Sequence, residues 1–306
     1  MMKEKMYHYK VYGINIDSQI EIPEFPVNKE NINNKRVDLI LGKASDSIKE
    51  EIDKGRRISV ARDNIWFHAE GVATYMINNG NEVIVEPCKN YDKKLLKVYI
   101  MGSVMGFLLL QQQVLAIHGG TTVINDKAVI FTGDRGAGKS TLTTALGERG
   151  YKFLADDVAA IRIDEVPKVN PGFPYHKLCE DAVDKMSYEK EKLTHFRGDG
   201  KVKYLVPDFE GFCNKGTSLG ALIEISVGDV ENVKLEEILG HNKFYKLLNN
   251  IYRNEYMSSM GEIPPKYFKQ CMEVAKNIKC YTIIRPRDKF TVEEQIRLVE
   301  EVALTN

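Results

Sequence analysis

Gly133-Asp134-Arg135-Gly136-Ala137-Gly138-Lys139-Ser140 is the stretch of the chain whose residue types and spacing most directly specify chemistry, since it fits Gly-x-x-x-x-Gly-Lys-Ser/Thr. In such a loop glycines let backbone N–H groups converge on phosphate oxygens, and a following helix adds the partial positive charge of its N-terminus. Gly133 through Thr141 are thus candidate nucleotide-binding residues. Lys139 would neutralise the β- and γ-phosphates, and the Ser140 hydroxyl is placed to ligate Mg²⁺. Shortly downstream, Ala155-Asp156-Asp157 ends an apolar run with two carboxylates. One can hold the metal and the other can act on a proton. Neighbouring side chains on a strand point to opposite faces, so the two should do different jobs unless the chain is already turning.

The flanking elements must deliver these groups to one place. Ala128 to Thr132 is apolar and β-branched, as a buried strand should be, and Thr141 to Arg149 reads as a helix closed by Gly150. Thr121 to Ile124 should form a hairpin with the loop's strand around Asn125-Asp126-Lys127. Phe153-Leu154-Ala155 is expected to lie beside the loop's strand, at the carboxyl edge where ligands bind in open α/β sheets.

These residues bear a resemblance. Lys139-Ser140, a helix, Arg149-Gly150-Tyr151 and Leu154-Ala155-Asp156-Asp157 resemble the catalytic core of the HPr kinase/phosphorylase family, and His118-Gly119 falls where that family has a His-Gly. The similarity runs from about Leu115 to Ile163. Pro171-Gly172-Phe173-Pro174 with Lys177-Leu178 is similar to a segment of HPr-kinase-related proteins that act beside peptide-modifying systems, including those that phosphorylate lasso-peptide precursors. Arg135 stands where the HPr kinases have a small residue, and the second glycine-rich motif of their phosphorylase activity is missing. The resemblance implies an α/β fold of the HPr kinase and phosphoenolpyruvate carboxykinase type, a mixed sheet with flanking helices. It implies ATP and Mg²⁺, with Asp156 activating a serine hydroxyl, Asp157 in the metal shell with Ser140, and His118 orienting the aspartate or the acceptor. On the same resemblance Lys177 ranks first among acceptor-binding cations. Arg197, in the polar stretch expected to border the acceptor groove, is a second candidate.

Composition bounds the alternatives. The 306 residues are 43% hydrophobic and 28% charged, with 43 Lys and Arg against 43 Asp and Glu. That balance advertises no basic footprint for nucleic acid. The five cysteines have no C-x-x-C spacing and read as reduced thiols of a cytoplasmic protein. The start, Met1 to Lys5, carries no secretion signal. Val98 to Ile117 is uncharged over a length close to a bilayer span, but Gln111-Gln112-Gln113 would put an amide on any face, so a buried helix is expected and no membrane.

Residues 1–90 read as β-rich, without catalytic groups, and serve in this reading to bind the acceptor or a neighbouring subunit, so that a homo-oligomer is allowed for. Residues 91–306 read as the kinase domain, opening with one long helix from Tyr91 to Gln113. Asp164 to Gly216 is polar, with Pro167, Pro171, Pro174 and Gly198-Asp199-Gly200, and is expected to be a long functional loop. The leading expectation is an ATP-dependent kinase acting on a serine of a peptide or small protein. A small-molecule kinase, a carboxykinase-like phosphotransferase and a non-catalytic nucleotide-sensing module are the alternatives.

Overall fold

The computed structural model describes residues 5–29, 36–186, 188–198, 200–261 and 264–304. Asp199 and the charged start Met1 to Glu4 lie outside the described residues. The chain divides into two compact units, Met1–Val114 with Arg253–Pro264, and Leu115–Tyr252 with Pro265–Asn306. The long helix expected to open a second domain at residue 91 falls in the first unit.

The first unit is built on β1 (Tyr7–Val11), β2 (Ile14–Ser18), β3 (Arg36–Leu41), β4 (Ile58–Val60), β5 (Asn64–Ala69), β6 (Ala73–Asn78) and β7 (Glu82–Pro87), in the order β1-β2-β3-β7-β6-β5-β4. A short helix, α1 (Asp46–Asp53), follows β3 and is capped by Ser45. The buried helix runs as α2 (Lys93–Tyr99), a π-turn at Ile100–Val104, and α3 (Met105–Gln111). It is long and apolar enough to cross a membrane, but 61% of its apolar window is buried, and aromatic packing accounts for this. Phe67 stacks on Tyr75 at 4.7 Å between centroids, with Tyr99 and Phe107 at 6.2 and 5.9 Å from Phe67. The glutamines are spent on the β6–β7 turn: Gly80 N donates to Gln111 Oε1 at 2.9 Å, and Gln112 Nε2 donates to Gly80 O at 2.6 Å.

The second unit carries a nine-stranded mixed sheet. Its strands are β8 (Leu115–His118), β9 (Gly120–Ile124), β10 (Lys127–Thr132), β11 (Lys152–Ala155), β12 (Val158–Ile163), β13 (Pro167–Asn170), β17 (Thr217–Gly228), β18 (Lys234–Ile238) and β19 (Lys279–Pro286). A separate three-stranded sheet has the order β14 (Tyr175–Cys179), β16 (Lys201–Pro207), β15 (Thr194–Gly198). The helices are α4 (Lys139–Glu148), α5 (Glu180–Lys185), α6 (His241–Asn249), α7 (Pro265–Asn277) and α8 (Val292–Leu304). The stretch expected to be a long loop, Asp164 to Gly216, thus holds four strands and a helix. Its polar alternation hides a sheet whose buried face is only Leu178, Tyr204, Val206 and the residues packed on them.

The order β11-β9-β10-β17 in the large sheet corrects one adjacency. The strand ending in the paired aspartates pairs with β9, which separates it from the loop's strand. Asn125 and Asp126, both with positive φ, turn β9 into β10 in the register expected for a two-residue hairpin. On its other side β10 runs parallel to β17, and β17 parallel to β19. Leu142 and Leu146 of α4 and Ile296 and Val299 of α8 bury against Phe131, Ile223 and Ile283 on one face. Burial of this kind supplies about 25 cal/mol per Å² of apolar surface and fixes the helix that starts at Lys139. At the start of α8 Gln295 Nε2 donates to Thr291 Oγ1 at 3.2 Å.

Candidate active site

Strand β10 leaves the sheet at Thr132, and Gly133 turns the chain with φ 133°. A Cβ there would lie 2.2 Å from Ile225 O of β17, so no side chain fits. The loop then enters α4 through Gly138, at φ 111°, and with glycine at that position the helix has no side-chain cap. The first intrahelical amide bond is Leu142 N to Gly138 O at 3.0 Å, so the amides of Lys139, Ser140 and Thr141 have no acceptor within the helix. Ser140 and Thr141 are exposed at that end, as are Asp134, Arg135 and Gly136 on the loop.

Lys139 folds back over the loop, its Nζ donating to Gly133 O at 2.6 Å and Asp134 O at 3.1 Å. Its proton affinity is lowered by burial and by the charge of Lys203, against the opposing pull of Asp157 and Asp134. Arg285, on β19, supports the loop from below. It donates from Nε to Ala137 O at 2.7 Å and from Nη2 to Gly136 O at 3.2 Å, so this cation holds loop carbonyls in place.

The two aspartates lie in the turn between β11 and β12, not on a strand, and their side chains take different partners. Asp157 Oδ2 accepts from Lys177 Nζ at 3.0 Å, and its Oδ1 lies 3.8 Å from His118 Nδ1. Burial pushes this carboxyl up, but Lys177, His118 and Lys203 together hold it well below the usual carboxylate range. Asp156 turns the other way. Its Oδ2 accepts the backbone amide of Lys177 at 2.8 Å, its Oδ1 lies 3.3 Å from His176 Nδ1, and its side chain is 10% exposed. Asp156, the expected base, is thus hydrogen-bonded to β14 through both oxygens, and Asp157 is the carboxylate of the two that shares a field with Lys139.

His118 is fixed through its backbone. Its amide donates to Asn250 O at 2.8 Å, and its carbonyl lies 2.8 Å from Thr132 Oγ1 at the end of the loop's strand. Thr132 Oγ1 also lies 2.7 Å from Asn250 Oδ1. The imidazole stacks on Tyr252 at 5.8 Å and remains about half exposed beside Asp157.

Register decides between the two expected acceptor cations. In the small sheet Arg197 pairs with Val202, which packs into the apolar cluster beneath. Lys203 pairs with Cys179, and Cys179 shares a face with Lys177 two residues earlier. Lys177 and Lys203 thus belong to the face toward Asp157, and Arg197 to the opposite one, where it is exposed. Sequence reasoning gave Lys203 no priority over its neighbours. The alternation of Lys201, Lys203 and Leu205 on one strand was the available signal.

No family model matches this chain, and no curated protein matches it. Among solved structures the chain is similar to the Hpr(Ser) kinase/phosphatase from Coxiella burnetii, at 15% identity and a TM-score of 0.33, over 62% of this chain and 91% of that one. A likeness that distant decides nothing about activity, and the side-chain geometry carries the reading instead.

For Mg²⁺, the donors at the loop are hard oxygens, the Ser140 hydroxyl and the ionised Asp157, and they suit the ion. Among the described residues no cluster of three or more His, Cys, Asp or Glu side chains could hold a metal by itself.

Proposed function

We propose that this protein is an ATP-dependent kinase that transfers the γ-phosphate to a serine hydroxyl of a peptide or small protein. The observation that carries this reading is the convergence of Lys139, Lys177 and Lys203 on one carboxylate, Asp157, at the mouth of a strand–glycine turn–helix. Three ammonium groups around Asp157 and the loop's exposed Asp134 give a positive field where a triphosphate would sit. Phosphoryl transfer needs little else from a protein than positioning and charge neutralisation.

In this reading the uncapped amides of α4 and Lys139 bind the β- and γ-phosphates, and Lys203 and Lys177 face the transferred group. Ser140 would hold Mg²⁺, with Asp157 at its edge, and the ion when bound would neutralise charge on the phosphate oxygens. Asp157 takes the role expected of Asp156. It orients the acceptor hydroxyl and receives its proton late, which a loose transition state tolerates even from a weak base. His118 and Lys177 keep that carboxylate ionised and aimed.

Incubation with γ-labelled ATP, Mg²⁺ and a panel of serine-containing peptides, HPr and free serine tests the reading. Label in a peptide or protein serine supports it; label only in free serine replaces it with a small-molecule kinase. Nucleotide binding without transfer to any hydroxyl replaces it with a nucleotide-sensing module.

A further inference from the structure

His176 lies between two carboxylates on separate segments. Its Nδ1 is 3.3 Å from Asp156 Oδ1, and its Nε2 is 3.3 Å from Asp208 Oδ2. A neutral imidazole has one N–H and can donate to only one of them, so serving both requires the imidazolium. The ring is 16% exposed and packs on Phe153 of β11 at 4.1 Å between centroids. Asp208 is fixed in turn: its Oδ1 accepts Gly211 N at 2.7 Å, and its own amide donates to Pro174 O at 2.9 Å. A Cβ at Gly211 would fall 2.1 Å from Asp208 Oδ2, so any side chain there would push the carboxylate from its present place beside the ring.

We infer that His176 is a positioning residue: as an imidazolium bridging Asp156 and Asp208 it fastens β14 to the aspartate turn, and so presents the Lys177 ammonium to Asp157. The inference rests on the kinase reading above and deepens it. Residue 176 points toward Asp156 and Asp208 while residue 177 points to the opposite side of the strand. The Lys177 amide is bonded to the same Asp156 that holds the histidine, so one carboxylate registers both. Loss of the bridge would remove one of the ties that hold β14 against the aspartate turn.

The charged groups around the ring are consistent with a held proton. Asp156 comes from the turn after β11 and Asp208 from the end of β16, Lys177 is adjacent on β14, and Lys152 of β11 and Tyr188 interact with Asp208. Burial lowers the proton affinity of His176, but its two hydrogen-bonded carboxylates outweigh it and push the value up to about 9.

The test uses the full chain and three variants, His176→Gln, Asp208→Asn and Gly211→Ala. The last removes no polar group and only displaces the Asp208 carboxylate. Side-chain nitrogen NMR should show both His176 ring nitrogens protonated at pH 7.5, with titration near 9 moving to lower pH in Asp208→Asn and Gly211→Ala. In transfer assays His176→Gln should lower kcat by about 10- to 100-fold, the scale of a small misplacement, while leaving ATP affinity within about threefold. The alkaline limb of wild-type transfer should shift to lower pH in Gly211→Ala. A ring neutral at pH 7.5, or a limb and kcat untouched in all three variants, would overturn the inference. Because the NMR needs no acceptor, protonation of both nitrogens without any transfer would leave the bridge standing and reject the kinase reading instead.

Discussion

Lys177 reaches both aspartates at once: its Nζ lies 3.0 Å from Asp157 Oδ2 and its backbone amide 2.8 Å from Asp156 Oδ2. One residue of a small side sheet therefore sets the separation between the two carboxylates and supplies the cation of one of them. Replacing Lys177 by Met should keep the amide bond and lose the ion pair. The pair is neither fully exposed nor fully buried, at 13% and 32% side-chain exposure, so its loss should cost about 2 kcal/mol, between the two limiting cases. Chemical denaturation of Lys177→Met, Asp157→Asn and the double variant would measure this. Additive losses would mean the two groups do not interact.

The register of the small sheet separates two cations that look alike in sequence. Lys203→Ala should weaken ATP binding by roughly tenfold, about 1.4 kcal/mol, whereas Arg197→Ala on the other face should change it by less than about twofold. Nucleotide titration of both variants checks this, and equal losses would contradict the register argument.

Arg285 holds loop carbonyls, so its removal should act through loop order. Arg285→Met is expected to raise the dissociation constant for ATP severalfold with little change in kcat at saturation, as when binding is lost uniformly. Gly133→Ala is harsher, because a Cβ would collide with Ile225 O in a backbone conformation of φ 133°. It should destabilise the second unit by about 2 kcal/mol or more, read as a lower thermal midpoint.

The His176 bridge has a signed pH consequence. Its folded value of about 9 lies above the ordinary 6.5, so its contribution is fully present below pH 6.5 and is lost as pH rises through 9. Relative to His176→Gln, the wild-type thermal midpoint should therefore exceed the variant's most at pH 6 and converge toward it by pH 10. A gap independent of pH would show that the ring acts by packing alone.

Much of this site is local in sequence and hence legible there. Ala128 to Thr132, the loop and α4 are consecutive, and each carries its own signal in apolar run, glycine spacing or helix stop. Asp156 and Asp157 follow one short helix later, in the turn that ends β11. What the sequence hid is non-local. Asp208 meets His176 across thirty-two residues, and their pairing depends on β14 and β16 forming a sheet in a stretch whose prolines and polar residues read as loop. The partners of Asp156, His176 and the Lys177 amide, were hidden for the same reason, since only the folded chain brings them near. Nothing in residues 152–155 announces that β9 stands between them and the loop's strand. That order is set by the two-residue turn at Asn125-Asp126, which folds β9 back along β10 and leaves β9's other edge for β11.

The measurement closest to the central claim is a calorimetric titration of the wild-type chain and of Lys139→Ala with Mg²⁺–ATP, which requires no knowledge of the acceptor. The account predicts saturable one-to-one binding to the wild type that weakens at least about tenfold, or 1.4 kcal/mol, in the variant. Absence of binding to the wild type, or equal affinity in both proteins, would contradict it.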